Sequence, residues 1–272
     1  MKHDTFDKYP ADGQNLTLRS LLTTWDCLSD YRDELVLVGG LAVRHLTRRA
    51  EEGLPDAVTI DVDFAVSLGT SNGMYGSIRQ TLAAHDFQWE DLRFSRKFGG
   101  MTLFLDLLTD DDQTVGGSAV VDDGLSVAIM PGVSRALVRY RTVELAGKSL
   151  LGVEQVQHVH VAEVGPMLVL KLNAFAGRKA PKDAHDIEYL AMNYVGGVEA
   201  AVAGFAEEKA AGNRGMPRAL ETLETLFTKV DAQGPMSCAA FRMNNQHLDP
   251  AFEEESLRIR QQCVTLAHAL LG

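Results

Sequence analysis

Two aspartates two residues apart interrupt an otherwise apolar run, "AVTIDVDFAV" at positions 57–66, and they restrict what this segment can become. The run is rich in β-branched and aromatic residues, which favours a strand. Side chains alternate across a strand, so Asp61 and Asp63 share one face with Thr59 and Ala65. Ile60, Val62, Phe64 and Val66 then form a core-facing row. One face packs while the other presents two carboxylates. Like charges at that spacing raise one pKa unless a cation lies between them, and burying either without a partner is costly. A hard divalent cation with oxygen ligands meets the need, and magnesium commonly uses one or two carboxylates together with substrate phosphates.

The surrounding pattern places this strand in a larger frame. "LTLRSLLTTWDCLSDYRDE" has helical apolar spacing through Leu18, Leu21, Leu22, Trp25 and Leu28, and leads into "LVLVGG", a short buried strand ending at glycine. "LAVRHLTRRAEEG" predicts a helix closed by Gly53, with Pro55 just beyond. After Gly69, "TSNGMYGSIRQTLAAHDF" predicts a turn and then a helix, and "GGMTLFLDLLTDDD" predicts a strand ending in a solvated acidic turn at Asp110, Asp111 and Asp112. "LSVAIM", "YRTVEL" and "QHVHVA" extend the sheet. From about residue 162 the pattern is mostly helical as far as "SLRIRQQCVTLAHALLG". Strands mixed with helices, followed by helices alone, predict an α/β or α+β class: a mixed-sheet domain over 1–160 and a helical C-terminal domain over 161–272.

Two further features point at the same cleft. Asp106 interrupts the apolar strand "TLFLDLLTD" between Leu105 and Leu107, and a neighbouring strand would set it opposite Asp61 and Asp63. Three acids can hold two metals, which activate an attacking oxygen and clamp a triphosphate during an in-line displacement. Gly39 and Gly40 lack a Cβ, so backbone N–H groups can approach a phosphate, and the helix beginning there aims its positive end at the same place. Each feature alone is weak, since most glycine pairs are turns and most lone strand aspartates lie at edges. Their order is the stronger signal.

Bulk composition narrows the function class. The net charge of −11 argues against a protein that coats nucleic acid, because nonspecific binding needs clustered Lys and Arg to displace counterions. Arg44, His45, Arg48 and Arg49, then Arg93, Arg96 and Lys97, then Arg135, Arg139 and Arg141 form local basic clusters that read as solvated faces. Cys27, Cys238 and Cys263 are far apart and form no CxxC, so neither a disulfide framework nor a thiolate metal site is expected. No stretch reaches the roughly 20 apolar residues of a membrane helix, and the polar "MKHDTFDKYPADGQN" has no signal-peptide apolar core. A cytoplasmic protein without membrane contact is expected.

The order "VGG", "TIDVDFAV", "LFLDLL" resembles the nucleotidyltransferase superfamily with the polymerase-β-like minimal fold. Within it the chain is most similar to the bacterial toxin-related branch, the AbiEii-like nucleotidyltransferases. A later stretch, "LVLKLNAFAGRKAPKDAHDIEYL", matches that branch's pattern with Lys171, Arg178, Lys182, Asp183 and Asp186. Lys171, Phe175 and Arg178 fall on one helical stripe, and Pro181 must break or restart the helix. Read without the resemblance, "KDAHDIEYL" is a capped amphipathic helix with Ile187 and Leu190 inside. The chain departs from the family in having Gly39–Gly40 where many members have Gly-Ser, and in a longer gap before Asp61.

The resemblance implies a metal-dependent transfer of NMP from an NTP to an acceptor hydroxyl, with Mg2+ or Mn2+ held by Asp61, Asp63 and Asp106. It implies nucleotide contact by Gly39, Gly40, Thr59, Lys171, Arg178, Lys182 and Asp183. The acceptor is tRNA, a protein or a small molecule, and the toxin-like branch brings a cognate antitoxin as partner. The alternative is a noncatalytic nucleotide- or partner-binding protein that retains the fold. A hydrolase built on His45, His158, His160 or His185 is disfavoured because no third ligand or open site accompanies "HVH". Those histidines read as structural.

Overall fold

A fully buried strand, Leu35–Val38 (β1), sits inside a mixed sheet in the computed structural model, which describes residues 3–9, 11–48, 57–67, 77–110, 117–122 and 125–272. The fold class is the expected mixture of α and β. One compact unit comprises Ala11–His45 and Thr59–Glu163. Its other strands are β2 (Asp61–Val66), β3 (Gln88–Glu90), β4 (Arg93–Phe98), β5 (Met101–Thr109), β6 (Ser118–Asp122), β7 (Leu125–Ile129), β8 (Tyr140–Lys148) and β9 (Glu154–Ala162). The path runs β3–β4–β5–β2–β1–β9–β8, with β7 also beside β5 and β6 beside β7. β1 pairs antiparallel with β2 and parallel with β9, whereas β2 and β5 are parallel.

Helix α1 (Ala11–Cys27) buries Leu21, Leu22 and Trp25, with Leu28 just beyond, and the Trp25 ring lies 5.8 Å from that of Phe64 on β2. The predicted apolar row of β2 is confirmed for Val62, Phe64 and Val66, which are buried, while Ile60 is only half-buried and precedes the strand. α2 (Gly39–Leu46) starts at the glycine pair as expected and is followed by α3 (Ile78–Ala83) and the short α4 (Val133–Ala136). Arg49, Gly53, Pro55, Gly69, Asp111 and Asp112 lie outside the described residues. Strands β3, β4 and β6 were not anticipated. The mixed charges of "QWEDLRFSRKF" conceal β4, whose alternate residues Phe94 and Arg96 are nevertheless buried.

The second unit comprises Met1–Pro10, Leu46–Val58 and Val164–Gly272. It is built from α5 (Val164–Arg178), α6 (Pro181–Met192), α7 (Val198–Ala210), α8 (Met216–Leu226), α9 (Gln233–Arg242) and α10 (Glu253–Leu271). α5 is apolar around most of its circumference and is correspondingly buried, the pattern of a central helix. Lys179 takes a left-handed φ of 52° after α5, and Pro181 occupies the first turn of α6, so the proline restarts the helix where its missing N–H costs nothing. Ile187 and Leu190 point into the core as expected. The unit also gathers two earlier segments. Thr47 bridges to Tyr194, Arg48 N–H donates to Asn193 O, and the Tyr9 ring meets Phe241 edge-on.

Helices α5 and α7 approach closely where glycine meets glycine. A Cβ on Gly165 would lie 2.3 Å from the carbonyl oxygen of Gly204, which is backbone and has no rotamer with which to yield. Gly165→Ala is expected to lower the stability of the helical unit by about 1–3 kcal/mol through overpacking. A shift of the urea midpoint at constant slope measures this; an unchanged midpoint would show that α7 moves aside freely.

Candidate active site

Parallel pairing of β2 with β5 sets Asp63 directly beside Asp106 and Asp61 beside Phe104. The three carboxylates proposed from sequence therefore stand on neighbouring strands of one sheet. Alternation on β5 buries Leu103, Leu105 and Leu107 and leaves Phe104, Asp106 and Leu108 half-buried on the opposite face. Asp61 is buried and Asp63 half-buried. Burial, the neighbouring Asp63 and, more weakly, Asp61 push the Asp106 carboxyl up from its ordinary 3.8 to about 6, with Arg93 pulling in the opposite direction. The shift is the expected consequence of crowding like charges away from water.

Arg93 is the site residue that sequence reasoning missed. Its Nε donates to Asp106 Oδ1 at 2.9 Å and its Nη2 to Oδ2 at 2.8 Å, a bidentate pair. The same Nη2 lies 3.8 Å from Asp61 Oδ1, and the guanidinium carbon is 4.2 Å from the centre of the Phe104 ring. The signal was present in "KFGGM". Gly99 and Gly100 have φ of 57° and 81°, the two positive values of a type I′ hairpin turn, so Phe98 pairs with Met101. Counting back along both arms brings Arg93 opposite Asp106. The cluster of Arg93, Arg96 and Lys97 is thus no single solvated face: Arg96 points to the other side, where it reaches Asp86 and the Phe87 ring.

The glycine pair is required by its neighbours. Gly39 has φ of 71°, and a Cβ there would lie 1.9 Å from Asp63 Oδ2; a Cβ on Gly40 would lie 2.6 Å from Thr59 Cβ. The start of α2 is consequently pressed against Asp63 and Thr59 with no side chain between. Thr59 Oγ1 accepts from the N–H of Asp61 at 3.3 Å, and Thr59 O accepts from Thr17 Oγ1 at 3.1 Å, which fixes the approach to β2. An all-oxygen cluster beside a helix start suits a hard divalent cation, and Asp61, Asp63 and Asp106 are the residues that would hold it.

The later motif forms a second cluster inside the helical unit. Lys171 and Lys182, 4% and 2% exposed, both bond Asp186 Oδ2 at 2.6 Å, and Asp186 is fully buried. Arg178 grips fully buried Asp183 with two hydrogen bonds, of 2.5 and 2.7 Å. On the anticipated stripe, Lys171 and Phe175 face inward, with Phe175 edge-on to Phe227 at 5.2 Å, while Arg178 at the end of α5 stays partly exposed. Asp110 is also more than a solvated turn. Its Oδ2 accepts from Gly132 N–H and Ser134 Oγ, both at 2.8 Å, at the start of α4. His160 packs between Tyr140 and Trp25, and half-buried His45 is held neutral, its pKa lowered to about 4 by burial and then by Arg44.

The raised Asp106 pKa fixes the sign of a pH effect. Between 3.8 and about 6 the folded chain holds a proton that the unfolded chain releases, so this group's contribution to stability is complete below the window and lost as pH rises through it. Asp106→Asn is expected to flatten the decline, seen by comparing urea midpoints at the two ends of the window; equal slopes in both proteins would refute the assignment. Gly39→Ala, which forces both a strained φ and a clash with Asp63, is expected to cost about 1–3 kcal/mol. Neither a protein-family model nor a curated protein matches the chain.

Proposed function

We propose that the α/β unit is a metal-dependent nucleotidyltransferase that moves an NMP unit from an NTP to an acceptor hydroxyl. The observation that carries this reading is the register of β2 against β5, which aligns Asp63 with Asp106 while the helix start at Gly39 abuts the Asp63 carboxylate. Asp61, Asp63 and Asp106 would hold Mg2+ or Mn2+. When bound, the cation supplies charge neutralisation for the triphosphate and for the departing pyrophosphate. Gly39 and Gly40 offer N–H groups of the α2 start to phosphate oxygens, favoured by the helix dipole. Asp106 completes the site and serves as the base or the metal ligand that activates the acceptor hydroxyl. Arg93 holds Asp106 in a fixed rotamer and lends positive charge where phosphate oxygens arrive.

The acceptor belongs to one of three classes, tRNA, a protein or a small molecule, and the toxin-like resemblance adds a cognate antitoxin and a cytoplasmic setting to the proposal. Among the described residues no helix is long and apolar enough to cross a membrane. A noncatalytic nucleotide-binding role has one specific observation in its favour: the Arg93 guanidinium already bridges Asp106 and Asp61 as a built-in cation. In that reading nucleotide binds without a divalent metal and is not turned over.

Incubation with each α-labelled NTP, Mg2+ or Mn2+, and pooled tRNA or lysate decides between the two. Transfer by the wild type, reduced at least about 100-fold in Asp61→Ala/Asp63→Ala, is the expected result. Metal-independent nucleotide binding with no label transferred would instead establish the binding-protein role.

A further inference from the structure

Deep in the helical unit, three side chains with metal-binding atoms converge that the proposed reaction does not use. His185 and Glu188 stand one turn apart on α6 and share a face, and Cys238 comes from α9. Their ligating nitrogen, oxygen and sulfur atoms all lie within 4.8 Å of one another. His185 and Cys238 are fully buried and Glu188 is 3% exposed. A fourth donor is near: the buried thiol of Cys263 on α10 interacts electrostatically with that of Cys238, and neither cysteine is in a disulfide.

The surroundings orient these groups. The His185 ring stacks on Phe241 at 5.0 Å and leans on Tyr189 at 5.3 Å. Arg242 Nη1 donates to Glu188 Oε2 at 3.0 Å, fixing the carboxylate. A groove of about 510 Å³, lined in part by Glu188, Arg242, Asn244 and Ile259, opens beside Glu188.

We propose that His185, Glu188, Cys238 and Cys263 bind a divalent cation of the zinc class, pinning α6, α9 and α10 together. Mixed thiolate, imidazole and carboxylate donors select a borderline-soft metal over magnesium. Tetrahedral zinc, with bonds of about 2.0–2.3 Å, sets its ligand atoms roughly 3.3–3.8 Å apart, so His185, Glu188 and Cys238, within 4.8 Å of one another, need draw together by only about 1 Å. Charge supports the same set. A doubly positive ion, two thiolates and the Glu188–Arg242 pair sum to zero beside a neutral imidazole, which is what a buried site requires. Binding forms two metal–sulfur bonds and releases two thiol protons to solvent, with no change of oxidation state.

Cobalt(II) added to the chelator-treated full chain tests this. The expected result is one equivalent bound with a thiolate-to-cobalt charge-transfer band and tetrahedral ligand-field bands, displaced by zinc. Cobalt held only by the Asp61, Asp63 and Asp106 carboxylates gives no sulfur band, so failure here is distinguishable from failure of the nucleotidyltransferase reading. Cys238→Ser should cut the band to about half at saturating cobalt and weaken cobalt binding at least about tenfold. Because that variant also disturbs a packed core, the wild type supplies a second readout. Zinc should slow alkylation of Cys238 and Cys263, followed by peptide mass, while leaving half-buried Cys27 unchanged. Absence of a sulfur band together with zinc-independent alkylation would overturn the proposal.

Discussion

Repulsion among three carboxylates on two adjacent strands is the constraint around which the α/β unit is arranged. Asp61, Asp63 and Asp106 cannot all be ionised at this spacing without compensation, and the structure answers in two ways. Arg93 reaches across from β4 with a bidentate grip on Asp106 and a longer contact to Asp61. The helix α2 starts against Asp63, where only glycine fits. Both answers need a cross-strand neighbour, so the site depends on the sheet being mixed: parallel at β2–β5 and antiparallel at β4–β5.

A different electrostatic solution organises the helical unit. Lys171 and Lys182 converge on Asp186, Arg178 on Asp183 and Arg242 on Glu188, every one of the three acids being nearly or fully buried. Removing one partner from such a pair is far more damaging than the pair is stabilising, because the remaining charge is left in a poor solvent. Pairing of this kind favours one register of α5, α6 and α9 over its alternatives. The charged motif "KLNAFAGRKAPKDAHD" therefore has a structural reason to exist within the unit itself. Cys238 and Cys263 pack beside the Glu188–Arg242 pair, adding thiols to the buried charged groups of this core.

Much of this was legible in the sequence. Alternation alone put Asp61 and Asp63 on one face of β2, the glycine pair marked the strand-to-helix junction, and Pro181 announced the break between α5 and α6. Those signals are local, set by backbone periodicity, by missing Cβ atoms and by a fixed φ. Arg93 was legible in principle, because Gly99–Gly100 encodes a two-residue turn that fixes the pairing of both arms. It was hidden by the charges of β4, which imitate a solvated surface.

What the sequence by itself determined is the class of fold, the order of most of its elements and the three candidate acids, since each follows from patterns a few residues long. Only the tertiary structure decided which strands became neighbours, and hence that Asp63 faces Asp106 with Arg93 bridging to Asp61. It alone also decided that Thr47 bridges to Tyr194 in the helical unit, and that His185, Glu188 and Cys238 meet. These are contacts between distant segments, selected by burial of apolar surface over the whole chain, and no local periodicity records them.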